Sequence, residues 1–297
     1  MTLELRQGFH QPDERGAYLV GLNRCFPGWG DDRRFAWCFE RCVDGVLPDV
    51  LSLADASGRA VAGIALVYRR VLVDGARHAR IALYSGAWML PEARGAGAFS
   101  RLVNAGRAIA AQRDALAIVS FVTAGNASRR AFDRLGTSMS PSFYLRSGVA
   151  SGTTHDDIRP CELAALGRES FRMPPGRTCV AYTEQDWRGQ FLARPGTLHA
   201  VERPGSWRAL VERAPEFDRV LAISAEPDAR LDAVGALTAR AVAAARQLFI
   251  FETDPETAAS LRARGFEQGD GFISVLPAAA PAEACPAGWC FQNGDRM

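Results

Sequence analysis

Residues 90–102 read LPEARGAGAFSRL and place an arginine and two glycines between a proline and an amphipathic helical pattern. The apolar, strand-like run RIALYSGAWML (80–90) leads into this stretch, and apolar residues then recur at helical spacing as far as Ile109. A strand that runs directly into a helix leaves the first helical N–H groups without partners, and these donors attract anions together with the helix dipole. Glycine at 95 and 97 lets the backbone approach an anion closely. The stretch therefore indicates a phosphate-binding turn, with an ordinary strand-to-helix turn as the alternative.

The composition is that of a folded protein with more than one domain. A length of 297 residues exceeds the usual size of a compact domain, so we expect two. A hydrophobic share of 48% with 23% charged residues argues against disorder. All 35 lysine-or-arginine positions are arginine, and the net charge of +2 is too small to indicate a nucleic-acid partner.

The sequence predicts a cytoplasmic protein without a membrane partner. The segment MTLELRQGFHQPDE lacks the apolar core of a secretory signal, and no run approaches the roughly 18 apolar residues of a membrane span. Seven scattered cysteines, an odd number, are typical of reduced thiols. Cys38 with Cys42 and Cys285 with Cys290 lie close enough in sequence to share a metal, but no nearby histidine completes a four-ligand set. We therefore expect no metal.

The order of predicted elements repeats once along the chain. Each half contains helical segments, three strands, a long helix, a strand, a short helix and a closing strand; in the second half the early helices are expected near 161–171 and 184–193. An offset of 129 residues places Gly265 on Gly136, Thr257 on Ser128 and Phe272 on Phe143. Chance similarity between short helices is the alternative. The pattern predicts a mixed-sheet α/β fold with domains at 1–148 and 160–277, a small-residue polar linker between them, and a tail at 278–297.

Two segments resemble the acyl-CoA signatures of the GNAT acetyltransferase superfamily. The first signature reads Gln or Arg, two residues, Gly, one residue, then Gly or Ala. Arg94 and Gly97 fill its first two defined positions, whereas Phe99 departs from it because a small residue is preferred there. The second signature is matched by GNASRRAFDRLG (125–136) at Asn126, Ser128, Ala131, Leu135 and Gly136. The resemblance implies two tandem GNAT-like acyl-CoA N-acyltransferase domains, covering 3–148 well and 160–277 in outline.

The resemblance also implies that acetyl-CoA or another acyl-CoA is the co-substrate. In GNAT proteins the backbone N–H groups of the loop hold the CoA pyrophosphate, which assigns that role here to Arg94, Gly95, Ala96, Gly97, Ala98 and Phe99. The pantetheine arm would pair with the backbone at Trp88, Met89 and Leu90. The remaining residues assigned to cofactor binding are Asn126, Ser128, Arg129 and Phe132, with Arg129 and its neighbour Arg130 placed to reach a phosphate.

The second half does not repeat the phosphate-binding turn. Its corresponding stretch, SAEPDARLDAVGALT, places Glu226 and Asp228 where phosphate would lie, and two carboxylates there would repel it. Asp228 is better interpreted as a helix N-cap. We therefore expect that the second domain has lost cofactor binding and either completes the acceptor pocket or braces the first domain.

Acyl transfer to an amine needs a proton acceptor for the amine, donors for the oxyanion and stabilisation of the departing thiolate. Family members often carry a glutamate base on the fourth strand, but RIALYSGAWML has only Tyr84 and Ser85 as polar residues in its middle. At the position of the tyrosine that often protonates sulfur, this chain has Phe132. The catalytic candidates are therefore Tyr84, Ser85 and Asn126. Tyr84 as a core aromatic and Asn126 as a loop-turning residue are the alternatives.

The predicted function is an acyl-CoA-dependent N-acyltransferase that acts by direct transfer on a small amine or amino-acid-like metabolite. One alternative is a catalytically degenerate tandem protein that binds CoA or a protein partner, and another is aminoacyl transfer from charged tRNA, which the small net charge disfavours. Glu40 and Asp44 lie on the early helical region that lines acceptor sites in this superfamily, although helix-surface charges need no function. The tail is expected to pack through Trp289 or Phe291 and to place Asp295 near the acceptor, with a frayed terminus as the alternative.

Overall fold

The computed structural model describes residues 2–11, 13–95, 97–148, 158–171, 176–279 and 288–296. Ala96 and most of the predicted linker therefore lie outside the described residues. The strands are β1 (Glu4–Gln7), β2 (Asp49–Ala54), β3 (Ala60–Val73), β4 (Arg77–Met89), β5 (Ala115–Thr123), β6 (Ser138–Arg146), β7 (Arg159–Cys161), β8 (Thr178–Val180), β9 (Thr197–Arg203), β10 (Trp207–Arg213), β11 (Phe217–Ala225), β12 (Gln247–Glu252), β13 (Glu267–Pro277) and β14 (Trp289–Cys290). The helices are α1 (Glu14–Cys25), α2 (Asp32–Phe39), α3 (Ala98–Gln112), α4 (Ser128–Arg134), α5 (Glu184–Trp187), α6 (Pro227–Ala243) and α7 (Pro255–Ala263).

All the strands belong to one mixed sheet, and the two halves of the chain exchange their last strands within it. The order is β1-β2-β3-β4-β5-β13-β6-β12-β11-β10-β9-β7, with β8 and β14 off this path. Thus β13 separates β5 from β6, and β6 separates β13 from β12, through antiparallel pairs. Ser142 faces Gly271, and these residues are 129 apart in the chain. The offset between the two sequence repeats is therefore also the separation in sequence of the two residues that face each other at the middle of the β6–β13 pair.

Apolar residues on alternating strand positions build a core on each face of the sheet. On one face α3 packs through Leu102 and Val103 against Leu66 and Ile118. On the opposite face α1 and α2 form a cluster with β3 and β4 that includes Tyr18. In the second half α6 covers its strands as α3 covers the first ones.

The segment near the end of the chain packs on the same face as α1 and α2, at the centre of the sheet. Trp289 and Phe291 are each only 3% exposed and stack on one another with a centroid distance of 5.4 Å. Phe291 also meets Phe121 of β5 edge to face at 5.1 Å. The short strand β14 pairs with β8, which pairs with β3. This segment therefore joins the second half to the first.

Two early elements of the second half differ from the expected helices. The helix expected near 161–171 is wrong: two single 3₁₀ turns, Leu163–Ala165 and Arg168–Ser170, occupy that stretch. The extended backbone of Gly167, with φ −146° and ψ −178°, separates the two turns. Near 184–193 the short helix α5 continues as a π-helical turn over Arg188–Leu192.

None of the helices described here is long and apolar enough to cross a membrane.

Candidate active site

A cleft opens in the sheet where β4 and β5 diverge. The two parallel strands pair from Arg80–Ala115 to Leu83–Val119, and beyond these residues their paired register ends. The other edge of β4 pairs with β3 in antiparallel orientation. The register of this pair shifts between Gly63 and Ala65 of β3, opposite a bulge in β4 at Gly86. Gly86 has φ +57°, and a Cβ there would lie 2.5 Å from the Phe39 ring, so glycine permits the bend. The bulge thus turns the end of β4 away from β5.

The cleft has a volume of about 180 Å³, and its walls combine apolar side chains with polar groups. Phe99 of α3 and Phe132 of α4 meet edge to face at 5.4 Å on its α3 side, and Tyr84 lies 6.4 Å from Phe132. Its lining residues are Ile64, Tyr84, Gly86, Ala87, Phe99, Ser120, Phe121, Val122, Asn126, Ser128 and Phe132. Among these described residues there is no carboxylate and no histidine. The cleft therefore suits an uncharged, flexible chain.

An open backbone turn lies beside the cleft at the start of α3. Gly95 and Gly97 have φ +82° and +69°, and a Cβ on either would meet no atom within 4 Å. Gly97 is the N-cap, which supplies no side-chain hydrogen bond, and the first helical bond joins the Arg101 N–H to the Gly97 carbonyl at 3.0 Å. The N–H groups of residues 98–100 consequently have no carbonyl within the helix. This turn offers backbone donors to an anion from its open side.

Near its end, β4 lines the cleft with Gly86 and Ala87, and Trp88, Met89 and Leu90 follow these residues. Trp88 and Leu90 are each 3% exposed, and their side chains pack with α1 and α2 on the opposite face of the sheet. The Leu90 N–H donates to the Val61 carbonyl at 2.9 Å, so it is already used. Because the backbone groups of a strand alternate in direction, those of Met89 point toward the cleft.

Tyr84 and Ser85 point to opposite faces of the sheet. The Tyr84 hydroxyl donates to the Val103 carbonyl of α3 at 2.7 Å, and burial raises the pKa of this phenol above its usual value. Tyr84 therefore remains protonated and anchors α3 to β4. Ser85 is 9% exposed and belongs to the face that carries α1, α2 and the C-terminal segment.

Asn126 shapes the loop that precedes α4. Its Oδ1 accepts hydrogen bonds from both the N–H and the hydroxyl of Ser128 at 2.9 Å, which forms an Asx turn directly before α4. The Arg129 guanidinium lies 4.3 Å from the centroid of Phe272 in β13, and Arg130 is exposed. These contacts place the second signature at the rim of the cleft, next to the exchanged strand.

The second half has a corresponding cleft, but the chain itself fills it. Strands β11 and β12 pair in parallel from Phe217–Gln247 to Arg219–Phe249 and then lose register. Beyond this point the Ile223 N–H donates to the side-chain oxygen of Gln292 at 3.0 Å. A glutamine from the C-terminal segment thus occupies a backbone donor of the second cleft.

The start of α6 also differs from the start of α3. Its N-cap is Glu226, in extended conformation with φ −62° and ψ 154°, and Pro227 follows with no N–H to donate. Asp228 lies inside the helix, so the prediction that it is the N-cap is wrong. A carboxylate and a proline therefore replace the open glycine turn.

Glu40 and Asp44 are engaged in ion pairs. Glu40 binds Arg15, while Asp44 binds Arg70 and, at 3.2 Å, Arg80. These pairs fix the segment after α2 and leave both carboxylates engaged. Sequence reasoning missed Ser120 and Phe121 of the cleft, although alternation along LAIVSFV assigns them to opposite faces of a strand.

Solved structures match this fold, whereas no family sequence model and no curated protein sequence matches the chain. A tandem GNAT protein from the clavulanic acid biosynthesis pathway is 12% identical, with 94% of this chain and 99% of that chain covered and a TM-score of 0.64. A GCN5-related N-acetyltransferase from Sphaerobacter thermophilus is 13% identical, with coverages of 97% and 98% and a TM-score of 0.60. N-myristoyltransferase from Saccharomyces cerevisiae, with bound myristoyl-CoA, is 9% identical, with coverages of 100% and 84% and a TM-score of 0.60. These likenesses concern the fold and confirm the expected mixed α/β class and GNAT architecture.

Proposed function

We propose that this chain, which has the fold of a tandem GNAT protein, is an acyl-CoA-dependent N-acyltransferase acting by direct transfer on a small amine or amino-acid-like metabolite. One observation carries the proposal: the first half combines diverged strands with an open glycine turn at a helix start. The corresponding cleft of the second half is filled by Gln292. We therefore assign one acyl-CoA site to each chain, with acetyl-CoA as the donor to test first.

In this proposal each group of the cleft has a separate task. The turn from Arg94 to Phe99 holds the pyrophosphate through backbone N–H groups, and Arg94 adds a positive charge. The backbone of Met89 pairs with an amide of the pantetheine arm. At the rim of the cleft, the side-chain NH₂ of Asn126 remains available to the cofactor, because Ser128 uses only the side-chain oxygen. Phe99 and Phe132 enclose the arm in apolar walls. Tyr84 is a positioning residue because its hydroxyl holds α3.

The transfer step forms a bond between the amine nitrogen and the thioester carbonyl carbon, and the carbon–sulfur bond breaks as the CoA thiolate departs. Phe132 has no proton for the sulfur, and no acidic or imidazole side chain lines the described cleft. We therefore propose that water on the opposite face of the sheet, where Ser85 lies, accepts the proton that the amine releases. This route predicts a reaction without a strong side-chain base.

The test is calorimetric titration of acetyl-CoA into the wild type and Gly97→Trp. A bulky residue at Gly97 fills the open side of the turn and requires a left-handed backbone, so we expect a stoichiometry of one for the wild type and loss of binding for the variant. Gly205→Trp is the matched control, because Gly205 has φ +75° and equally open surroundings in the β9–β10 turn. Two sites per chain, or unchanged affinity in Gly97→Trp, would show that the site is elsewhere.

A second candidate is a protein that binds CoA without turnover, and Phe132 together with the lack of acid–base side chains in the cleft favours it. Release of free CoA thiol from acetyl-CoA, measured over a panel of small amines, separates the two functions. Amine-dependent thiol release supports transfer, whereas tight acetyl-CoA binding with no release across the panel supports the second candidate.

A further inference from the structure

Several guanidinium groups are buried between α2, β3 and the π-helical turn of the second half. The guanidinium carbons of Arg41 and Arg194 lie 4.7 Å and 4.8 Å from the centroid of Trp37. Arg41 donates to the side-chain oxygen of Gln190, and Arg69 donates to the same oxygen at 2.9 Å. A neutral amide oxygen therefore holds two cations together.

The carboxylates near this group balance only part of its charge. Glu212 accepts from Arg194 at 3.1 Å and from Arg219 at 2.9 Å, so one carboxylate serves two guanidiniums. Arg41 and Arg296 form no ion pair with a described residue. Their partners are neutral: backbone and amide oxygens for Arg41, and a phenol and an amide oxygen for Arg296.

The other carboxylate that faces the group is Asp295, and its oxygens are occupied. They accept hydrogen bonds from the Tyr182 hydroxyl at 2.8 Å and from the Gln292 N–H at 2.6 Å. Burial raises the pKa of Asp295 to about 6, so part of its negative charge is lost in weakly acidic solution. At neutral pH, where Asp295 is mostly ionised, Glu212 and Asp295 together provide two negative charges against the four guanidiniums of Arg41, Arg194, Arg219 and Arg296.

Arg194 is the centre of this arrangement. Burial lowers the pKa of Arg41 to about 9 and that of Arg296 to about 10, and nearby guanidinium groups lower both further. Arg194 is one of those neighbours at each of the two groups, with Arg69 acting more strongly on Arg41 and Arg219 more strongly on Arg296. Arg194 itself is 4% exposed, and its Nη1 has no hydrogen-bond partner; the same holds for the Nε atoms of Arg41 and Arg296. Buried cationic donors without partners are costly unless an anion binds them. Arg41, Arg194, Arg219 and Arg296 are called here the buried arginine cluster.

The cluster reaches the wall of the candidate cleft. The Arg296 guanidinium lies 5.3 Å from the centroid of Phe121, which lines the cleft, and 4.7 Å from that of Tyr144. Phe121 points away from α3, so Arg296 lies on the face where an acceptor would meet the acyl group. At the other end, the Arg219 side chain is 22% exposed, so the cluster extends to the protein surface.

We propose that the buried arginine cluster binds an oxyanion, a carboxylate or a phosphate, carried by the acceptor. The acceptor amine then points through the cleft toward the thioester while the anionic group lies against Arg194 and its neighbours. Guanidinium groups suit this task because their planar donors match the paired oxygens of both anions. As a statement about the acceptor, the inference rests on the proposed N-acyltransferase function, but anion binding by the cluster is measurable without acyl-CoA.

The test titrates inorganic phosphate and, separately, succinate into the protein without CoA, with thermal unfolding as the readout at constant ionic strength set by chloride. A ligand that binds only the folded state raises the unfolding temperature. We expect one or both anions to raise it above the chloride baseline, and Arg194→Gln to weaken that binding about tenfold or more. The control Arg188→Gln removes an exposed arginine paired with Glu184 and should bind as the wild type does. The anion that binds distinguishes a phosphate-bearing from a carboxylate-bearing acceptor.

The inference is overturned if neither anion stabilises the wild type, or if Arg194→Gln binds the stabilising anion as tightly as the wild type does. If Arg194→Gln does not fold, Arg41→Gln takes its place, because Arg41 is only partly buried and lies on the same Trp37 ring. Acetyl-CoA titration into the same variant separates the two proposals. Loss of anion binding with intact acetyl-CoA binding supports the cluster, whereas anion binding by a wild type that fails to bind acetyl-CoA overturns the proposed function alone.

Discussion

Asp295 is a carboxyl held in a fully buried position near the end of the chain. It is 2% exposed, and its two hydrogen bonds to Tyr182 and Gln292 do not compensate for the loss of water. Burial consequently raises its pKa to about 6, against roughly 3.9 in an unfolded chain. The folded protein therefore binds this proton more tightly than the unfolded chain does.

This difference gives Asp295 a pH-dependent effect on stability. Between about pH 4 and pH 6 the folded state holds a proton that the unfolded state has lost, so the contribution of this group to stability falls as pH rises through that range. The side chain of Asp295→Asn stays neutral, so we expect the stability of this variant relative to wild type to be greater at pH 7 than at pH 4.5, by about 2 kcal/mol. Urea unfolding at the two pH values measures the difference, with Asp133→Asn as an exposed control. An identical pH dependence in Asp295→Asn and wild type would contradict this assignment.

Single residues also mark the limit of what the sequence predicted. The glycines at 95 and 97 indicated a turn whose backbone an anion could approach closely. The sequence did not show that both would have positive φ, as they do in the structure. The sequence around Tyr84 and Ser85 did not show that the Tyr84 hydroxyl donates a hydrogen bond to the Val103 carbonyl. That contact depends on how α3 packs against β4, which the local sequence does not determine. The buried arginine cluster was equally hidden, since its members come from elements far apart in the chain.

At the level of elements, the C-terminal segment acts as a filler of the second cleft. Gln292 accepts from the Ile223 N–H, and Trp289 and Phe291 are buried beside it. We expect Gln292→Ala to speed hydrogen exchange at the Ile223 amide by up to about tenfold, because a neutral hydrogen bond is worth about 1 kcal/mol. Amide exchange followed by NMR measures it. Gln268→Ala, which removes an exposed glutamine bonded to Asp270, is the control and should leave Ile223 unchanged. Equal exchange in Gln292→Ala and wild type would show that the contact does not protect the cleft.

The periodicity of hydrophobic residues predicted the long helices and strands well and the short ones poorly. The helix that became α3 and the strand that became β5 were read from strong patterns over 94–113 and LAIVSFV. The stretch 161–171 has apolar residues that suit a helix, but the extended backbone of Gly167 divides it into two 3₁₀ turns. Strand exchange was not foreseen, because β6 and β13 have strand patterns but local sequence does not choose a strand's partner.

For the whole molecule, the exchange of β6 and β13 makes the two halves one unfolding unit. Neither half has a complete sheet without a strand from the other. We expect a single calorimetric transition whose calorimetric and van't Hoff enthalpies agree. Leu237→Ala, at a position of α6 that is 3% exposed, should move that entire transition to lower temperature, with a loss of about 2–5 kcal/mol. The control Leu47→Ala changes a side chain that is 59% exposed. Separate transitions, with only one displaced by Leu237→Ala, would contradict the coupling.

The same strand order also governs what happens while the chain is being made. A ribosome releases β5 and β6 well before it has decoded residues 267–277, and at roughly 5–20 residues per second this interval is on the order of ten seconds. Until β13 emerges, the nascent N-terminal half has a gap between β5 and β6 and exposes their backbone groups as open edges, which invite pairing with other chains. Completion of the sheet of the first half therefore waits for the synthesis of the second half.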